Sequence, residues 1–150
     1  MKISITNIKW RKIILTCIAI IIADIIAITI VVAVYAIILG FEVRGEPDSQ
    51  AIELFADRLG SVMGPLLGAV LTFCGSFRIT WKLSQPDVTN GTLVGIIVAL
   101  FGLIIGNFSL QSILFSFLTL TAGLLGGKIA IKKRQLRINM PPAGILTMSY

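Results

Sequence analysis

The sequence predicts an all-α fold, an integral membrane bundle of four transmembrane helices whose facing surfaces are built from Gly, Ala, Ser and Thr. Three observations carry this prediction. Hydrophobic residues make up 56% of the 150 positions and charged residues 13%, against about 45–50% and about 25% in an ordinary soluble domain. The apolar residues fall in four runs separated by short polar or charged segments. Inside those runs small residues recur at steps of three or four, which on a helix aligns them on one face and lets another backbone approach closely.

Residues 1–12 form a basic flank, with Lys2, Lys9, Arg11 and Lys12, no acid, and Trp10 where interfacial aromatics are usually found. The first span, 13–39, is interrupted by one charge, Asp24. A signal peptide has an apolar region of about 7–15 residues, so this longer run reads as a retained helix. Its helical length of about 40 Å exceeds a hydrocarbon core of about 30 Å. The helix therefore tilts, or its last turns near Tyr35 and Phe41 stand clear of the membrane.

Residues 40–59 are an acidic external loop with Glu42, Glu46, Asp48, Glu53 and Asp57. Pro47 breaks the chain, and Asp48 or Ser49 caps a new helix whose Ile52, Phe55, Ala56 and Leu59 share one apolar face. This piece is expected to lie on the outer membrane surface before leading into the second span.

The second span, 60–83, has Gly60, Gly64, Gly68 and Gly75 on one face together with Thr72, a groove for a neighbouring helix. Pro65, one turn inside its outer end, leaves a backbone carbonyl without its helical partner. After the turn-rich segment 84–91, a third span over 92–107 repeats the pattern with Gly91, Gly95, Ala99, Gly102 and Gly106. The fourth, 110–131, does so with Ser112, Ser116, Thr119, Gly123 and Gly127. Residues 13–137 thus make a single membrane domain, followed by a tail at 138–150. Eleven of the thirteen basic residues fall on one side of a four-span layout, leaving Arg44 and Arg58 on the other. The positive-inside rule then makes both termini cytoplasmic, and the compact chain reads as a protein of a prokaryotic plasma membrane.

Asp24 is the sharpest chemical feature. It lies about 18 Å along the helix from Lys12, close to mid-membrane, where an aspartate costs about 2.5–3.5 kcal/mol. No basic residue is expected at its depth. Thr72, Thr119 and Thr121 are the nearest polar groups by length counting, so hydroxyls or a bound proton must replace an ion pair. Two readings stay open: a proton or cation site, or a carboxyl that only hydrogen-bonds helices together. The run Lys128, Lys132, Lys133, Arg134 and Arg137 can hold anionic lipid at about 1 kcal/mol per residue, or only set topology. The glycine faces can pack within the chain, or against a second copy or another subunit of a membrane complex.

The chain has no histidine, and Cys17 and Cys74 both sit in apolar runs, so neither metal nor cofactor is expected. No nucleophile stands near a base, which argues against an enzyme. With no folded domain to present the basic residues, nucleic-acid binding is not expected either. In outline, four short spans with one acid in the first resemble the small multidrug transporters. That family's glutamate nearer the amino end, its shorter loops and its aromatic stacking positions have no counterpart here, and the chain is not assigned to it. Two functions are carried forward. One is a non-catalytic accessory or packing subunit that associates through its glycine faces; the other is a small proton- or cation-coupled transporter or channel using Asp24.

Overall fold

The computed structural model describes residues 8–43, 48–83 and 87–139. Four helices account for nearly all of them: α1 (Trp10–Val43), α2 (Ser49–Trp81), α3 (Val88–Ile105) and α4 (Leu110–Asn139). All four are long and apolar enough to cross a membrane. They run alternately up and down, so one end of the bundle carries Lys9, Arg11, Lys12, Arg78, Lys82 and the basic residues of α4. The opposite end carries the acidic residues that open α2.

Local chemistry explains the boundaries. Asp48 is the N-cap of α2, its carboxylate accepting from the Gln50 N–H at 2.9 Å. Asp87 caps α3 in the same way, accepting from both the N–H and the hydroxyl of Thr89, which starts the helix at Val88, four residues ahead of the expected span. Between α3 and α4 the chain reverses through Asn107 and Phe108, at φ 49° and 53°. Ser109 then receives the Ser112 N–H on its side chain and opens α4.

One expectation is corrected. The acidic segment does not form a separate surface helix: Ser49–Leu59 is continuous with the rest of α2. Nothing in GluLeuPheAlaAspArgLeuGly breaks a helix, and a single glycine costs only about 1 kcal/mol. The extension stands beside the far end of α1, where Tyr35 stacks on Phe55 with ring centroids 3.9 Å apart. Both helices thereby exceed the length that a bilayer core needs.

Helices α2, α3 and α4 pack mutually, while α1 leans on α2 and α3 and does not reach α4. The apolar core lies toward the basic end, where Ile13, Cys17 and Ile20 of α1 meet Ile79 of α2 and Val94 of α3. Here the backbones are close. A Cβ on Gly123 would stand 2.7 Å from the Cα of Gly95, and one on Gly91 3.1 Å from the Cα of Gly127. Two hydroxyls add bonds between helices, Ser76 to the Gly91 carbonyl at 3.0 Å and Ser116 to the Ala99 carbonyl at 3.2 Å. The remainder of α1 shows large apolar side chains outward, Leu15, Ile18, Ile22, Ile26 and Ile30 among them.

Candidate functional site

Toward the acidic end the packing opens into a cavity of about 500 Å³ to which all four helices contribute. Its size falls in the range of about 300–1,000 Å³ usual for small-molecule sites. The space exists because the facing positions are small. Gly60, Gly64, Pro65 and Gly68 of α2, Ala99 and Gly102 of α3 and Gly106 just past its end line it. From α1 come Ile20, Ile21, Asp24, Ile25 and Ile28, and from α4 Ser112, Phe115, Ser116 and Thr119.

Asp24 is the only ionisable residue in this wall among the described residues. Its Oδ1 is buried and has no hydrogen-bond partner. Its Oδ2 lies 4.0 Å from where a Cβ on Gly68 would stand, so that glycine leaves room for the carboxyl against α2. None of the three threonines expected beside the acid hydrogen-bonds it. Thr119 lines the cavity but donates to the Phe115 carbonyl of its own helix at 2.9 Å. Thr121 is exposed and donates to the Leu118 carbonyl. Thr72 is fully buried outside the cavity wall, and its hydroxyl has no partner. In an apolar helix the carbonyl one turn back is the nearest acceptor, and it captures such hydroxyls before a neighbouring helix can.

The acidic end of the cavity is lined by a polar cluster. Pro65 has no N–H, so the carbonyl four residues earlier, that of Ser61, lacks its helical donor. Gln111 of α4 supplies one, its Nε2 donating to Ser61 O at 2.8 Å. Beside it Ser112 donates to the Gly106 carbonyl at 2.9 Å, and the Ser109 and Ser112 hydroxyls lie 2.7 Å apart. The side of the cavity is open. Two contacts tie α1 and the residue before it to α3, Lys9 N–H to Asn90 Oδ1 and the Cys17 thiol against the Val94 carbonyl, and both lie on the basic half. Beyond them Ile25 is 58% exposed, Phe101 42% and Ile105 66%, and all three line the cavity.

The small residues singled out by spacing do different jobs. Gly91, Gly95, Gly123 and Gly127 bring α3 and α4 together. Gly75 takes Ile20 and Thr16 of α1, and Gly64 takes the end of Ile28. No helix backbone lies in the groove of Gly60, Gly64 and Gly68; these three face α1 side chains or the cavity, and Gly60 and Gly102 have nothing within 4 Å of an added Cβ. Gly106 turns onto Ser112. Spacing missed Gly126, where a Cβ would stand 2.5 Å from the Phe73 carbonyl. The signal was the Gly126–Gly127 pair: neighbours on a helix point about 100° apart, and these two address α2 and α3.

Of the basic run, Lys128, Lys132 and Lys133 are exposed. Arg134 is half-buried and donates to the Leu83 carbonyl, joining α4 to the end of α2. The side chain of Arg137 lies outside the described residues. Compared with family models, with curated proteins and with solved structures, the chain matches none.

Proposed function

We propose that this chain is a multi-pass protein of a prokaryotic plasma membrane, with both termini cytoplasmic, and that it works as a small proton- or cation-coupled transporter or channel using Asp24. One observation carries the reading: a carboxyl whose Oδ1 is buried without a partner stands in the wall of a cavity built by all four helices. A carboxyl that served only to join helices would be hydrogen-bonded across an interface, and Asp24 is not. An ionisable residue inside an apolar bundle is expensive, and it faces a cavity when it marks a pathway for ions or substrate. The orientation rests on the basic residues gathered at the end where α1 begins and α4 finishes.

The accessory-subunit reading is weaker on the same geometry. The glycines through which a partner would pack are already used: Gly91, Gly95, Gly123, Gly126 and Gly127 meet backbone within the chain, while Gly60 and Gly102 border the cavity. The test is flux. Purified protein in liposomes, under an imposed pH gradient with Na⁺ or K⁺ on one side, should move protons or the cation, and Asp24→Asn should abolish the signal while the protein stays folded. Equal, silent traces from both proteins would discard this reading.

A further inference from the structure

We infer that the cavity binds a protonated primary amine carried on an apolar body, with the ammonium at Asp24. This deepens the transport reading and rests on it for the role of the acid. The inference comes from what the polar wall can offer. Ser116 donates its hydroxyl hydrogen to the Ala99 carbonyl, Thr119 to Phe115 and Ser112 to Gly106. With those hydrogens committed, each hydroxyl turns only lone pairs toward the cavity. Asp24 adds its carboxyl, which lines the cavity and whose buried Oδ1 has no partner.

Apart from the second amide N–H of Gln111 at the acidic end, the polar surface is therefore acceptor-only, and an ionised Asp24 gives it one negative charge. Beside Asp24 a neutral acceptor or an anion finds no partner, whereas an ammonium brings three donors and the matching charge. Away from the polar cluster of Ser61, Ser109 and Gln111 the remaining wall is apolar, mostly isoleucine, phenylalanine and glycine, which suits an apolar body. The opening between α1 and α3, edged by Ile25, Phe101 and Ile105, lets such an amphiphile enter from the side. The Gln111–Ser61 bond ties α4 to α2 at the acidic end.

The experiment is equilibrium binding to the full chain in nanodiscs of neutral lipid, using 4-phenylbutylammonium, its N-trimethyl derivative and 4-phenylbutan-1-ol. The primary ammonium should bind, and Asp24→Asn should weaken it by about tenfold or more, the usual worth of a charged hydrogen bond. The trimethyl derivative keeps the charge without donors, and the alcohol keeps a donor without the charge, so both should bind about tenfold more weakly or worse. Gly102→Phe fills the cavity from a position with open space before it and should also abolish binding, which keeps a test in hand if Asp24→Asn misfolds. Equal binding of the trimethyl cation, or binding unaffected by both substitutions, would overturn the inference. So would the absence of any binding to the wild type. In that last case Asp24-dependent proton or Na⁺ flux would leave the transport reading standing, and its loss together with binding would end both.

Discussion

Gln111 on α4 donates its side-chain N–H to the carbonyl of Ser61 on α2, at 2.8 Å. That carbonyl is the one that Pro65 leaves without a helical donor, so a helix defect and its repair come from different parts of the chain. A double-mutant cycle checks the pairing. Gln111→Ala should destabilise the wild type by about 1 kcal/mol. In a Pro65→Ala background, where residue 65 regains an N–H, the same change should cost little. Additive effects in detergent unfolding would show that the two are independent.

Backbone contact separates two classes of glycine. Gly123→Ala places a methyl 2.7 Å from the Gly95 Cα, and Gly126→Ala places one 2.5 Å from the Phe73 carbonyl; each should destabilise by about 1–3 kcal/mol, as overpacking does. Gly60→Ala and Gly102→Ala meet open space and should be neutral or stabilise by up to about 1 kcal/mol through helix propensity. Thermal unfolding of the four variants side by side decides it; a uniform loss would mean that the glycines are equivalent.

Two buried hydroxyls on α2 make a second contrast. Ser76 donates to the Gly91 carbonyl, so Ser76→Ala removes a bond between α2 and α3 at a cost of about 1 kcal/mol. Thr80 is fully buried and its Oγ1 has no partner. Thr80→Val, which removes a desolvated hydroxyl and keeps the shape, should hold or raise the melting temperature.

Orientation follows from charge alone. Reporters fused after residues 50 and 108 should read outside, and those after 86 and 145 inside. A cytoplasmic reporter at 50 would reverse or break the proposed threading.

Asp24→Asn should leave stability intact, because the buried Oδ1 makes no hydrogen bond that the amide would lose. It should still remove flux, since an amide cannot exchange a proton or hold a cation by charge. A melting temperature well below that of the wild type would show that the carboxyl carries a bond essential to the fold.

Four helices, their order and the two ends of the bundle were legible in the sequence because they depend on composition summed along the chain: apolar runs, turn residues, a capping residue at Asp48 or Ser49, and the bias of Lys and Arg; the Asp87 cap, which starts α3 early, was not. The spacing of Gly91, Gly95, Gly123 and Gly127 marked small faces for the same reason, since helical period is local. What those faces meet depends on tertiary structure. Glycines of identical spacing on α2 border a cavity because the side chains of α1, rather than a helix backbone, stand opposite them. Thr119 and Thr121 turned to carbonyls of their own helix, a choice set by one-turn geometry and invisible to counting along a helix axis. The acceptor-only wall around Asp24, the repair of the Pro65 defect by Gln111 and the open side between α1 and α3 each join residues distant in the chain, and only packing in three dimensions could decide them.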